Sequence, residues 1–166
     1  MKILVISDSH GRSEDVEGVL KQVGPIDVLV HCGDIVRSAD YIELIAECPV
    51  YMVEGNNDFR LGLDREVIFE IEGYKVLVVH GHQYYVNVGT ARLEQHAMEQ
   101  QVDIVLYGHT HEPDLKQKPG LTIMNPGSIS YPRQHGRIPT FGVIEIDPNG
   151  NAHFSLVEYK RNRYGK

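Results

Sequence analysis

The sequence has few cysteines, no excess of positive charge and no long hydrophobic run, and each shortage excludes a class of protein. Two cysteines in 166 residues cannot form a disulfide framework, so Cys32 and Cys48 are predicted to be buried thiols without a chemical role. A formal net charge of −7 disfavours a general nucleic-acid binder, which would carry a basic face. No apolar run is long enough to span a bilayer. No secretory signal precedes the first predicted strand, so we expect a cytoplasmic protein without membrane contact.

The length, the globular composition and the lack of repeats or linkers predict a single domain over residues 1–166. Capping residues and stop signals predict three helices, from Ser13 to about Val23, from Ser38 to the Cys48-Pro49 pair, and from Thr90 to about Gln100. The first two helices alternate with short apolar runs. This alternation predicts βα units, in which the first three strands are parallel.

The second half of the chain has a different pattern. Alternating residues from Glu66 to Glu72 precede Gly73 and another apolar run, which predicts an antiparallel hairpin. Phe141 to Ile146 and Ala152 to Tyr159 predict a terminal hairpin, whose exposed edge could pair with a second copy of the chain. The mixture predicts an α/β fold with two sheets facing each other and helices outside.

Metal-binding residue types follow five of the apolar runs, at the point where each predicted strand ends. Ligands in open α/β sheets bind outside the carboxyl ends of the strands, so we expect one shared polar site. The pair His109 and His111, after Gly108, is the strongest single signal, and an extended backbone there would project both imidazoles to the same side. The full set is Asp8, His10, Asp34, Asn56, His80, His109 and His111.

Each of these pieces alone has an ordinary structural explanation. Gly33-Asp34 and Gly55-Asn56 are common turn sequences, and a lone buried histidine such as His80 is usually satisfied by packing. The ordered set is different, because chance placement at five strand ends is improbable. Carboxylate, amide and imidazole donors without thiolate suit Mn, Fe, Zn, Ni or Co better than Ca. Seven side chains exceed the needs of one ion but suit two ions that share a carboxylate.

The motif series resembles the calcineurin-like metallophosphoesterase superfamily, and in particular its compact bacterial and archaeal phosphodiesterase branch, which is itself similar to the retromer subunit Vps29. The motifs are Asp8-x-His10, Gly33-Asp34, Gly55-Asn56-x-Asp58, His80-Gly81-His82 and Gly108-His109-x-His111, followed by Asn125-Pro126-Gly127-Ser128 and Pro132-Arg133. The resemblance covers nearly the whole chain. It implies a four-layer α/β/β/α sandwich with two mixed sheets.

The resemblance also implies a dinuclear centre of two divalent ions, with Mn²⁺ expected first and Ni²⁺, Zn²⁺ or Fe²⁺ as alternatives. Carried over by position, the ligands of the first ion are Asp8, His10, Asp34 and His111, and those of the second are Asp34, Asn56, His80 and His109. Asp34 would bridge the ions. The implied activity is hydrolysis of a small phosphate ester, most plausibly a diester, by a hydroxide held between the ions.

The chain departs from many members of the superfamily at Asn57, where they have a histidine that stabilises the transition state or protonates the leaving oxygen. Asparagine can donate a hydrogen bond but cannot deliver a proton, so the sequence predicts a preference for good leaving groups and poor phosphomonoesterase activity. His82 or His135 could substitute as the acid. Asn57, Asp58 and His82 are therefore the candidate catalytic residues, with Asp58 expected to orient its neighbours unless it is only a turn cap.

Two residues are candidates for binding substrate. Asn56 belongs to the ligand set, and Arg133 has a guanidinium fork that matches a phosphate, although an exposed arginine without a role is more common.

Two other functions compete with the enzyme. A Vps29-like interaction scaffold would not need all seven ligands, and a nuclease is disfavoured by the acidic charge balance and by the absence of an added capping domain.

Overall fold

The computed structural model describes residues 1–161, which form two five-stranded sheets and three α-helices. The first sheet contains β1 (Lys2–Ile6), β2 (Val28–His31), β3 (Val50–Met52), β9 (Thr140–Ile146) and β10 (Ala152–Glu158). The second contains β4 (Glu66–Ile71), β5 (Tyr74–Val79), β6 (Ile104–Leu106), β7 (Pro113–Lys118) and β8 (Leu121–Pro126). The helices are α1 (Ser13–Val23), α2 (Ala39–Ala46) and α3 (Ala91–Gln100), and one turn of 3-10 helix covers His82–Tyr84.

Both sheets are mixed. In the first, with order β10-β9-β1-β2-β3, the strands β1, β2 and β3 are parallel and the terminal hairpin β9–β10 is antiparallel. In the second, with order β4-β5-β6-β8-β7, the central strands β5, β6 and β8 are parallel and the edge strands β4 and β7 are antiparallel. The predicted parallel strands and both predicted hairpins are therefore confirmed, and β10 lies at the edge of its sheet.

The alternation of side chains along each strand builds three apolar layers. One face of β1 contributes Ile3 and Val5 to a core between the two sheets, together with Val76 and Val78 of β5. The opposite face of the first sheet packs against α1 and α2. The opposite face of the second sheet packs against α3, for example through Leu77. The order of layers is α/β/β/α, as the sequence predicts.

The helices begin close to the predicted positions, and two of the three predicted capping residues occupy the N-cap. Ser13 is the first residue of α1 and Arg12 is its N-cap, whereas Ser38 and Thr90 are the N-caps of α2 and α3. None of the three N-cap residues makes a side-chain capping hydrogen bond. Thr90 instead donates its hydroxyl to the side chain of Glu94, at 2.8 Å. Packing against the sheets therefore fixes these helices more than capping does.

The longest helix of the described residues, α1, has 11 residues, and no helix among them has the length and apolar character needed to cross a membrane.

The two cysteines are free thiols. Cys32 is buried in the core between the sheets, whereas Cys48 is only partly buried, so the prediction that both would be buried is wrong for Cys48.

Truncating a side chain in the layer under α3 tests this arrangement. Leu77→Ala removes a fully buried side chain from β5, so it should lower the free energy of unfolding by about 2–5 kcal/mol. Leu44→Ala on α2, where the leucine is 73 % exposed, should change it by no more than about 0.5 kcal/mol. Urea denaturation followed by circular dichroism measures both. Equal losses in the two variants would contradict the layering.

Candidate metal centre

The predicted ligands lie in the loops that leave the carboxyl ends of the parallel strands. β1 is followed by two of them, β2 and β3 by one each, β5 by one and β6 by two: Asp8, His10, Asp34, Asn56, His80, His109 and His111. Strands of both sheets contribute ligands, so the site lies where the carboxyl ends of these strands meet. The structure brings all seven side chains together, and their contacts divide them into two groups.

The first group consists of Asp8, His10, Asp34 and His111. One ligand-type atom from each lies within 4.8 Å of the others, so the four can hold one metal ion. The Nε2 atom of His111 is 3.2 Å from Asp8 Oδ1 and 3.2 Å from His10 Nε2. His10 Nε2 is 3.6 Å from Asp34 Oδ2. Three of the four residues are buried and His10 is half-buried, so solvent reaches the group on one side.

The second group is centred on the side-chain oxygen of Asn56. This Oδ1 lies 2.9 Å from Nδ1 of His109 and 3.1 Å from Nε2 of His80. His80 Nε2 is also 3.5 Å from Asp34 Oδ2, the same oxygen that faces His10. Asp34 Oδ2 therefore belongs to both groups and lies between them.

Several of the atoms that could bind a metal face one another as hydrogen-bond acceptors. This arrangement suits a cation placed between them. His111 Nδ1 contacts the carbonyl oxygen of Tyr131 at 2.7 Å, and a carbonyl can only accept, so Nδ1 carries the proton. In neutral His111 the lone pair of Nε2 then points at Asp8 Oδ1, which has no hydrogen-bond donor among residues 1–161. His80 repeats the pattern, with Nδ1 bound to the Cys32 carbonyl at 2.7 Å and Nε2 facing Asn56 and Asp34. Facing lone pairs repel unless a proton or a metal ion lies between them.

The electrostatics of the site favour positive charge. Burial opposes ionisation of Asp34, but His80 and the N–H groups of Asn57 outweigh it and hold the pKa of Asp34 well below its usual value. Burial alone would lower the pKa of His80, but Asp34 and Asp8 outweigh it and raise the pKa. Burial lowers the pKa of His10 and of His109, so both favour the neutral form that binds metals.

The backbone at these loops is unusual. Five of the seven residues have left-handed backbone, with φ of 54° at Asp8, 47° at His10, 58° at Asp34, 71° at His109 and 61° at His111. The extended backbone predicted for His109 and His111 is therefore wrong. Each imidazole is aimed by a tight bend, and the two rings reach different groups of the site. Left-handed non-glycine residues are uncommon and cluster at functional sites.

Two glycines allow the strand ends to approach each other. A Cβ at Gly55 would lie 2.2 Å from both the backbone nitrogen and Oδ1 of Asp34. A Cβ at Gly108 would lie 2.0 Å from the hydroxyl of Ser7. Neither position has a positive φ, so close packing, rather than backbone conformation, requires glycine there.

Comparison with known proteins identifies the family. A model of the calcineurin-like phosphoesterase superfamily domain matches residues 1–149. The chain belongs to the calcineurin-like phosphoesterase superfamily. A probable metallophosphoesterase of Methanothermobacter thermautotrophicus is 34% identical over 152 residues, covering 89% of this chain and 87% of that protein. A phosphodiesterase of Methanocaldococcus jannaschii is 25% identical over 166 residues, covering 89% of this chain and 94% of that protein.

Solved structures agree. A predicted phosphoesterase of Streptococcus pneumoniae is 30% identical with a TM-score of 0.78, covering 95% of this chain and 97% of that one. Zinc-complexed Vps29 of Entamoeba histolytica, 23% identical with a TM-score of 0.73, shares the fold and covers 96% of this chain and 100% of that one. The predicted superfamily and fold class are confirmed.

The three candidate catalytic residues of this phosphoesterase lie in different surroundings. Asn57 donates its backbone N–H to Asp34 Oδ1 at 2.9 Å and its side-chain amide to Oδ2 at 2.7 Å. Asp58 is buried, and its carboxylate accepts the backbone N–H groups of Ile35, Val36 and Gly55 at 3.2, 2.6 and 2.8 Å. Asp58 thus joins the loops after β2 and β3.

His82 lies beside the second group of predicted ligands. Its ring centroid is 5.4 Å from that of His80 and 6.0 Å from that of His109. Burial lowers the pKa of His82, and its Nδ1 has no hydrogen-bond partner among residues 1–161. His135, the other candidate acid, is exposed on the loop after β8.

No pattern in the sequence predicts three of the contacts that orient the histidines of this site. The carbonyls of Tyr131 and Cys32 orient two of the histidines, and any residue type could supply them. Asn87 contacts Nε2 of His109 at 2.9 Å from the loop before α3. Arg133, the candidate substrate-binding residue, is anchored beside the site because its backbone N–H donates to the carbonyl of His111 at 3.1 Å.

The buried carboxylate of Asp58 provides a test of how the ligands are positioned. Asp58→Asn keeps the size of the side chain but replaces one acceptor with an N–H₂ group that faces backbone donors. The free energy of unfolding should fall by about 1–3 kcal/mol, and Mn²⁺ affinity should fall because Asp34 moves. Isothermal calorimetry and urea denaturation measure the two effects. Asp40→Asn, which changes an exposed carboxylate in the first turn of α2, is the control. Unchanged affinity in Asp58→Asn would show that Asp58 does not position Asp34.

Proposed function

We propose that this protein is a divalent-metal-dependent phosphodiesterase that holds two ions and hydrolyses a small phosphate ester. The observation that supports this proposal best is the convergence of acceptor atoms into two groups that share Asp34 Oδ2. Membership of the superfamily supplies the reaction class. The name of the Methanocaldococcus relative supports a diester as the substrate.

The proposed ligands of the two ions follow the two groups of contacts. Asp8, His10, Asp34 and His111 would hold the first ion. Asp34, Asn56, His80 and His109 would hold the second. The mixture of oxygen and imidazole donors suits Mn²⁺, and also Fe²⁺, Ni²⁺ or Zn²⁺. When bound, such ions lower the pKa of water to supply hydroxide near neutral pH and neutralise charge on phosphate oxygens.

The side chains around the ligands would position the substrate. The side chain of Asn56 is partly exposed, and Arg133, which lines the cleft beside His10 and His111, can pair with a phosphate oxygen. Hydrolysis adds one water: a P–O bond to one alcohol breaks, the leaving oxygen gains a proton, and a phosphomonoester remains. Asn57 can hold Asp34 and donate a hydrogen bond to the phosphate, but it has no proton to release.

We propose that His82, rather than His135, contacts the leaving oxygen. His82 lies beside two of the proposed ligands, whereas His135 lies on the exposed surface of its loop. Burial lowers the pKa of His82, so less of it is protonated at a given pH and it would assist departure weakly. The enzyme should therefore depend on the intrinsic quality of the leaving group.

Removing the metal should abolish activity reversibly. The protein is expected to hydrolyse bis(p-nitrophenyl) phosphate, to lose this activity after dialysis against a chelator, and to regain it with Mn²⁺. Asp34→Asn removes the shared oxygen's charge, so it should reduce bound metal and turnover together, by at least about 100-fold in kcat. Metal analysis and an absorbance assay measure both. Asp40→Asn should behave as wild type, and full activity of the metal-free protein would contradict the proposal.

The leaving group should control the rate. Without a strong proton donor, phosphodiesters of alkyl alcohols should react at least about 100-fold more slowly than aryl esters, and p-nitrophenyl phosphate should be a poor substrate. Asn57→His introduces the histidine that the resemblance to the superfamily leads us to expect at this position, and it should flatten this dependence. His82→Ala should steepen it, and His135→Ala should leave it unchanged. A flat dependence in the wild type would show that an efficient acid is present.

Two other functions remain for comparison. The shared fold of Vps29 allows a non-catalytic scaffold, which would not need the complete set of acceptors and the oriented imidazoles described above. A nuclease would need an electropositive path for a long polyanion, and the chain has a net charge of −7. The assay on the small diester separates the scaffold from the enzyme.

A further inference from the structure

A cleft opens from the metal centre on the side of His10 and His111. It has a volume of about 1080 Å³, and we call it the lateral cleft. The loop 130–139 forms one wall and residues 158–161 form the other. Tyr159 joins the two walls, because its backbone N–H donates to the carbonyl of Pro139 at 2.7 Å. The lateral cleft is therefore continuous with the proposed first-ion site.

The lateral cleft is positively charged in an acidic protein. Arg133, Arg137 and Lys160 line it, and within residues 1–161 none of the three forms a salt bridge. The fourth cation of the lining, Arg161, is neutralised by Asp15, with contacts of 2.8 and 2.7 Å. Glu158 is the one acidic residue in the lining. Three cations therefore remain available for an anion.

The opposite end of the metal centre has the other sign. A groove beside His109 is lined by Glu112, Asp114 and Lys116, and it includes Asn87, which contacts the His109 ring. Lys116 is paired with Asp114 at 3.1 Å. Among the residues that line this groove, Glu112 therefore has no cation to balance its charge. An anion is therefore attracted on one side of the centre and repelled on the other.

The position of the cations limits the distance from the reacting phosphate. Arg133 is tied to the backbone of His111, so its side chain starts directly beside a proposed ligand. Tyr131 packs edge-on against the His10 ring, with centroids 5.4 Å apart, and is 48 % exposed. Tyr131 and Ile138 give the lateral cleft an apolar surface for a short carbon spacer. A group held by Arg133 can thus be linked by a short spacer to a phosphate at the proposed metal centre.

We propose that the lateral cleft binds a second phosphate of the substrate, which is then a small phosphodiester with a phosphorylated alcohol on one side. This inference rests on the proposed function and names its substrate class. Two arginines and a lysine match the charge and geometry of a terminal phosphate dianion. A nucleic acid fits less well, because a chain crossing the centre would bring phosphates next to Glu112 and Asp114.

A matched pair of substrates tests the proposal. One is p-nitrophenyl propyl phosphate, and the other is the same ester with a terminal phosphonate on the propyl group. With Mn²⁺ present, kcat/KM should be at least about 10-fold higher for the phosphonate ester, mainly through KM. Arg137→Gln and Lys160→Gln should each bring this ratio towards one. Arg92→Gln, which changes an exposed arginine of α3 outside the lateral cleft, is the control and should keep the wild-type ratio.

The outcomes separate the two proposals. Hydrolysis of both esters with equal efficiency would overturn the second-phosphate site and leave the phosphodiesterase intact. Hydrolysis of neither would overturn the proposed function itself. Binding of propylphosphonate to the metal-free protein, measured by calorimetry and weakened in Arg137→Gln, would support the site without any turnover. A single-stranded oligonucleotide cleaved better than the phosphonate ester, with a loss in Arg137→Gln, would overturn the small-molecule assignment in favour of a nucleic acid.

Discussion

Facing acceptor atoms are the constraint on which the rest of this site depends. The His111 and His80 rings are each fixed by a carbonyl oxygen on one nitrogen, which aims the other nitrogen at carboxylate or amide oxygens. When that nitrogen is neutral the arrangement is unfavourable, because acceptors repel one another at about 3 Å. A proton or a metal ion between the acceptors converts the same repulsion into attraction, so the geometry prepares the site to bind a cation.

The fold supports this arrangement at a cost in backbone energy. Five of the predicted ligands have left-handed backbone, which costs about 1–2 kcal/mol per residue for most side chains, although Asp and His tolerate it better than others. Buried strands anchor each of these loops, and Asp58 ties two of them together through three backbone N–H groups. The two large sheets thus offset the strain that the site needs.

The distribution of charge makes the two sides of the site different. The chain as a whole is acidic, yet three available cations gather in the lateral cleft, and the groove at the other end of the centre is acidic. Metal ions at the centre would attract any phosphate, so they cannot distinguish one ester from another. Selectivity in the proposed mechanism therefore belongs to loop 130–139 and to residues 158–161, which contribute none of the seven proposed ligands.

Local patterns predict the succession of strands and helices, two facing sheets with helices outside, and the seven candidate ligands, because periodic burial and the residue types at strand ends can be read from the sequence. The resemblance to the superfamily added the four layers and the departure at Asn57. Which of the candidate ligands face each other depends on the tertiary structure, since contacts such as His10 with His111 join residues about a hundred positions apart. The left-handed bends at His109 and His111, the carbonyl partners of the imidazoles and the convergence of Arg133, Arg137 and Lys160 belong to the same class. They depend on how the two sheets meet, and no local pattern encodes that distance.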